Sequence, residues 1–244
     1  MNLDGLLKGP GGWGAVAAII FLILMTNACH EGGHALVAWL AGDRRGSIRR
    51  RCTLNPITHF HWFLTLALPL ISLYLAGVIF GGARPVLIDR SRTGRLGMAL
   101  AALAGPTGNL LCAGFLGVVL AVAVRMEWWG LSDADRVHSP AWMIFKVPIW
   151  FSLFLMCLNL LPLPGLDGGH VVGMCLPDRV QRVWYWCTPL GFLTVLAGLF
   201  YYAGYLHHWG WMDGPPPEPW PFQTLYEVAS RYLDVLIKWM GTAL

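Results

Sequence analysis

The sequence predicts an all-α polytopic membrane protein: a helical bundle with one broken helix, one re-entrant apolar segment and a short β element. Three observations lead there. Of 244 residues, 56% are hydrophobic and only 12% charged, where a soluble domain would carry about 25% charged residues. Apolar runs of membrane-spanning length recur, at 13–42, 96–124, 141–161 and 183–205. Arginines gather in two short stretches between those runs, the pattern that orients a chain in a membrane. Mean hydropathy is +0.56, and thirteen tryptophans suit a membrane interface. A net charge of +4 clustered in this way argues against a nucleic-acid partner.

The elements follow in chain order. Residues 1–12 are short, carry Gly and Pro, and read as surface-lying. Residues 13–42 form the first membrane helix. This run is too long for a signal-peptide core and lacks a small-residue cleavage site, so it is expected to stay in the membrane. Residues 43–58, "DRRGSIRRRCTLNPIT", hold five arginines and mark a cytoplasmic loop. The part from Ser47 to Leu54 is expected to pair as short extended strands. Residues 60–82 are apolar but interrupted by Pro69, and four more arginines follow at 84–95. A long helix spans 96–124, a polar acidic loop 125–140, and a further span 141–161 runs into "LPLPGLDGGH". There Pro162 and Pro164 break the helix. After the span at 183–205, "DGPPPEPWP" (213–221) is a stiff linker, and 222–243 is an amphipathic helix suited to the interface or to the bundle surface. The expected organisation is a core at 1–178, an additional membrane helix at 179–212, and the linker with its C-terminal helix at 213–244. Six cysteines show no CxxC spacing and read as packing residues.

The chemistry sits in the first span. An acidic side chain at the centre of a membrane helix costs roughly 2.5–3.5 kcal/mol, yet "TNACHEGGHALVAW" (26–39) carries His30, Glu31 and His34. Positions four apart lie one above the other on a helix, so His30 and His34 can hold one ion. HExxH on a helix is the zinc-protease pattern, with the glutamate as general base. Buried histidines can also be hydrogen-bonded core residues, but within a span ionisable groups mark function. A hydrolytic zinc site needs a third protein ligand. Asp167 stands apart from the other acidic residues, at a helix break that must face protein or a water-filled cavity. Its other reading is an N-cap for the following helix. Asn159 could donate to a developing oxyanion, or simply bond a neighbouring helix.

Together, "HEGGH" and "NLLPLPGLDGGH" resemble the site-2 protease family of intramembrane zinc metalloproteases. "AGPTGN" (104–109) is similar to that family's central-helix element. The motifs fall in the family's order, and the resemblance covers roughly residues 15–178. "TLNPITH" looks like its compact bacterial branch. The resemblance implies one Zn²⁺ per chain held by His30, His34 and Asp167, with Glu31 as catalytic acid and base. It also implies that Asn159 contacts substrate or oxyanion, and carries Asn109 over as a structural motif residue. The implied reaction cleaves transmembrane segments of protein or peptide substrates inside a bilayer, in regulated proteolysis or signal-peptide clearance. The implied location is a bacterial inner or plasma membrane. Three features depart from the family pattern. There is no PDZ or CBS module, Gly32 replaces a bulkier residue, and segment 60–82 is extra. Gly32 and Gly33 each cost a helix about 1 kcal/mol relative to alanine; close backbone approach is one reason to keep them.

A parity argument constrains topology. His30, His34 and Asp167 must meet at one depth, late in two spans, so those spans run in the same direction. An odd number of crossings must then separate them, although two apolar segments intervene. The interrupted segment 60–82 is therefore expected to enter and leave on one face, bent near Pro69. Both arginine loops and the active site would then lie towards the cytoplasm. His59 and His61, flanking that segment, could line a substrate entrance or coordinate metal, but read mainly as interfacial hydrogen-bonding residues. The alternative function is a non-hydrolytic metal-binding membrane protein, a zinc carrier or a pseudo-protease scaffold. An assembly partner is a third reading. The sequence does not indicate an oligomeric state.

Overall fold

The structure is a computed structural model that describes residues 12–76, 81–126 and 140–202, with Trp128, Arg231 and Val235 besides. The expected linker at 213–221 and most of the helix at 222–243 lie outside the described residues. Helix α1 is Gly12–Leu40. Two helical turns follow, α2 (Gly46–Arg49) and α3 (Pro56–His59). A wide π-type turn, Trp62–Ala67, runs into α4 (Leu68–Ala76). The long helix α5 is Arg90–Arg125 and α6 is Pro140–Asn159. Three further helices are α7 (Asp167–Cys175), α8 (Asp178–Trp186) and α9 (Thr188–Tyr202). Among the described residues there is no strand.

Among the described residues, three helices are long and apolar enough to cross a bilayer: α1, α5, and α6 from Trp142 to Asn159. They pack on one another as a three-helix core. Ala113, Leu116, Leu120 and Ala123 of α5 meet Trp142, Phe145, Ile149 and Leu153 of α6. Nearer the arginine loops, Ala35 and Ala38 of α1 close against Ala101 of α5. Outward, large apolar side chains such as Phe21, Leu111 and Phe115 remain exposed, as a lipid-facing surface requires. The all-α membrane architecture is thus as the sequence predicts.

Segment 60–82 does return to where it starts. The Gly82 N–H donates to the Leu64 carbonyl at 2.9 Å, the Thr65 hydroxyl donates to the Gly82 carbonyl at 2.9 Å, and the Arg84 N–H donates to the His59 carbonyl at 2.8 Å. Among the described residues its helical part has six and nine residues in its two pieces, fewer than the about 20 that a crossing needs. The chain does not bend at Pro69, however. Pro69 lies just inside α4, which continues from the π-type turn without a break, and it contributes no N–H to the ladder there. The helix then continues to Ala76.

Two other expectations are corrected. The strands expected over 47–54 do not form. The Ile48 and Arg50 N–H groups instead donate to the carbonyls of Arg45 and Gly46 at 3.0 and 3.1 Å. Ile48, only 2% exposed, anchors that turn on the bundle. The single span expected at 183–205 is two helices separated at Cys187. Pro189 has no N–H to continue the ladder through that point.

The two arginine loops interlock on one side of the bundle. Asp43, fully buried at the exit of α1, accepts from Arg45 Nε and Nη2 at 2.7 and 2.6 Å. It also accepts from the Asp89 N–H at 2.9 Å. Arg45 further donates to the Leu87 carbonyl at 2.7 Å. The Arg45 hydrogen bonds hold the Asp43 carboxyl down at about 2. Because the folded-state value is depressed, the stabilisation is complete above the ordinary carboxylate value near 4. It is lost as pH falls through about 2. Asp43→Asn is expected to lower unfolding stability by about 1–3 kcal/mol at neutral pH, a difference that shrinks towards zero in denaturation curves taken down to pH 2. Single cysteines replacing Arg50 and Leu87 are expected to react with an impermeant maleimide from the same side of the membrane; labelling from opposite sides would contradict the interlocked loops.

Candidate metal centre

His30 and His34 project from one face of α1 and are 7% and 8% exposed. Each ring is steadied through the nitrogen that points away from its partner. His34 Nδ1–H donates to the Ala101 carbonyl at 2.7 Å, which leaves the Nε2 lone pair free. His30 Nδ1 lies 3.1 Å from the Asn109 amide nitrogen, and the amide oxygen of Asn109 is buried without a partner. Turning that amide about its terminal bond lets Oδ1 accept from Nδ1–H. The His30 ring then offers Nε2 in the same way. A hydrogen bond on the distal nitrogen is how metal-binding histidines are usually oriented.

Asp167 arrives from the other side. The chain leaves α6 at Asn159, turns at Gly165 (φ 96°) and restarts as α7. Leu166 is the N-cap and caps with no side-chain bond. Asp167 is thus not the cap but the first helical residue, near the positive end of the α7 dipole. Its carboxylate faces the imidazoles, with Oδ2 3.2 Å from His30 Nε2 and Oδ1 3.3 Å from His34 Nε2. The two Nε2 atoms are 3.1 Å apart. Donors bound tetrahedrally at 2.0–2.2 Å would be spaced about 3.3–3.6 Å from one another; one donor atom from each of the three residues lies within 4.8 Å of the others, a spacing that fits one ion after small adjustments. Asp167 Oδ2 is buried and has no hydrogen-bond partner, as suits a ligand atom. Among the described residues, His30, His34 and Asp167 are the group able to share a metal ion.

Glycines make this convergence sterically feasible. A Cβ on Gly105 of α5 would lie 2.3 Å from His34 Nε2 and 2.8 Å from His30 Cε1. A Cβ on Gly33 would lie 2.5 Å from the Ala104 carbonyl oxygen. The "AGPTGN" element is therefore the floor under the imidazoles and the surface on which α1 rests.

Glu31 is 9% exposed, and its Oε2 accepts from the Val86 N–H at 3.1 Å. It shares a cleft of about 260 Å³ with His30, Asn159, Leu155, Gly82 and Phe192. Asn159 lines this cleft, but its amide donates to the Leu155 carbonyl of its own helix at 3.0 Å. His59 and His61 lie outside the metal group. His59 Nε2 is bonded to the Thr53 carbonyl at 2.9 Å, and His61 Nδ1 accepts from the Leu64 N–H at 3.3 Å. Sequence reasoning gave Asn109 no contact with His30 and no role to Gly105, although both stand in the quoted "AGPTGN". Nothing in residue type marked Val86 or Ala101, whose backbones do the work.

Comparison with known proteins gives the family. Residues 123–197 match the family model described as "Peptidase family M50". A Bacillus subtilis protein named "Putative zinc metalloprotease YwhC" is 33% identical over 181 residues, 73% of this chain and 78% of that protein. The chain belongs to peptidase family M50. A second relative, from Mycolicibacterium smegmatis and named "Putative zinc metalloprotease Rip2", is 33% identical over 174 residues, 71% of this chain and 63% of that protein. Its Mycobacterium tuberculosis namesake is 34% identical over 181 residues, 66% of its length. The chain thus spans about two thirds of the Rip2 relatives it matches. No solved structure matches it. For this M50 chain, Asn109→Leu is expected to weaken divalent-metal binding about 10–100-fold, and Gly105→Ala to weaken it further by displacing the His34 ring. Competition with a metal-sensitive dye reads both.

Proposed function

We propose that the chain is a zinc endopeptidase that hydrolyses peptide bonds in transmembrane segments, working inside the bilayer. One observation carries the proposal. His30, His34 and Asp167 converge at hydrogen-bond range within a bundle of spanning helices, and Glu31, next to His30 in the chain, lines the same cleft as His30.

In this reading His30 Nε2, His34 Nε2 and the Asp167 carboxylate would hold the ion, which when bound would supply a Lewis acid that eases deprotonation of water near neutral pH. Glu31 takes the proton of the attacking water and returns it to the leaving amine nitrogen. The Val86 N–H occupies Oε2 of Glu31, which leaves Oε1 for that exchange. Asn159 donates to the developing oxyanion once its amide turns from Leu155. Leu64, Leu68, Leu155, Leu158 and Phe192 line the cleft, so it accepts an apolar segment and limits water. The substrate must enter unwound, because helical carbonyls are already hydrogen-bonded. Membrane-tethered regulators and remnant signal peptides are the substrates implied. The two arginine loops support a cytoplasmic orientation of this side, in a bacterial inner membrane.

The rival reading, a carrier or scaffold that binds metal without hydrolysis, leaves Glu31 without a purpose. Glu31 is not in the ligand group. Glu31→Gln is expected to retain one zinc per chain and to lower cleavage of a reporter transmembrane helix by at least about 10²–10⁴-fold. Asp167→Ala is expected to lose both zinc and cleavage. Unchanged cleavage by Glu31→Gln would sink the proposal.

A further inference from the structure

On the side of the bundle where the arginine loops interlock lies a second cavity, of about 540 Å³. Arg45, Arg50, Arg51, Arg84, His61 and Thr58 line it. Its charge is poorly compensated. Arg45 is neutralised by Asp43. Arg51 donates through Nη1 to the Arg84 and Pro85 carbonyls at 2.8 and 2.6 Å, which fixes its guanidinium but cancels no charge. Among the described residues, Arg50, Arg51 and Arg84 form no ion pair with a carboxylate. Burial, and next the neighbouring Arg84 charge, push the Arg51 value below the usual arginine range, opposed by the through-space charge of Glu31. Three guanidinium groups with no carboxylate at salt-bridge range, around a space large enough for a ligand, call for an anion.

The surroundings indicate which anion. Leu87, part of the cavity lining, is 79% exposed. The lining residues Thr58 and His61 have as chain neighbours Ile57, Phe60 and Trp62, all exposed apolar side chains. Arg44 lies over the Trp39 ring at 3.8 Å at the end of α1. This mixture of aromatic and aliphatic exposure beside arginines is that of a membrane interface. A soluble anion would use the charges alone. A phospholipid would use the charges and the apolar rim together.

We propose that the cavity between α2, α3 and residues 84–87 binds the phosphate of an anionic lipid headgroup. Arginine is well matched to this task, since its planar fork bonds two phosphate oxygens at once. The site is separate from the metal centre, and its occupancy does not depend on proteolysis. Its floor nevertheless adjoins Glu31, because Arg51 holds the carbonyls of Arg84 and Pro85, and the next residue supplies the N–H to that carboxylate.

The test uses the full chain in dodecylmaltoside micelles, titrated separately with dihexanoyl phosphatidylglycerol, dihexanoyl phosphatidylcholine and inorganic phosphate. Ligand-induced change in thermal midpoint is the readout. Phosphatidylglycerol is expected to bind at least about tenfold more tightly than either of the other two. Arg50→Gln with Arg84→Gln is expected to weaken it about tenfold or more, with zinc content unchanged. Equal binding of the two lipids by the wild-type chain overturns the proposal, and that comparison needs no variant to fold. Undiminished phosphatidylglycerol binding by the double variant overturns it too. Inorganic phosphate binding as tightly as phosphatidylglycerol would show a soluble-anion site and overturn the lipid assignment.

Discussion

Two imidazoles and a carboxylate meet inside a bundle that offers them almost no water, and the rest of the fold serves that meeting. Left apart in an apolar interior, such groups would each cost free energy. Brought to 3.1–3.3 Å of one another, they form a site whose donor atoms face one point. The close approach of α1 and α5 through Gly33 and Gly105 makes this feasible. Side chains larger than hydrogen at those positions would hold the helices apart or displace the rings. The break after α6 makes it feasible from the other side, since an unbroken helix would carry Asp167 onwards past the histidines.

The arginine face solves a different problem. A first span, a returning apolar segment and a long helix must be joined so that the loops carrying most of the arginines stay together. Asp43 does much of this, tying the end of α1 to the start of α5 through Arg45 and the Asp89 N–H. The same strap of chain carries the Val86 N–H to Glu31. The water-facing edge and the reactive carboxylate are thus mechanically continuous, although one is polar and the other lies among apolar helices.

Much of the site was legible in residue type and spacing. Ionisable residues are rare in membrane spans, so His30, Glu31, His34 and Asp167 stood out against their neighbours. The parity of the crossings pointed to a returning segment at 60–82 before any contact was known. The local details were not legible in the same way. Ser47–Leu54 has no periodicity strong enough to separate a strand from a turn, and the burial of Ile48 decided it. Asn159 was open between an oxyanion contact and a bond to a neighbouring helix, and its amide instead bonds the Leu155 carbonyl of its own helix. The contact between Asn109 and His30 spans 79 positions in the chain, beyond the reach of a local pattern.

By itself, the sequence determined which segments can lie in lipid, which side chains can bind a metal, and that a membrane metalloprotease is the natural reading. Those are properties of residue chemistry and short-range period. Only the tertiary structure decided that the three donors share one point, that backbone groups of Ala101 and Val86 steady His34 and Glu31, and that the two arginine loops close around one cavity. These depend on how distant helices approach, which is set by side-chain volume at their contacts.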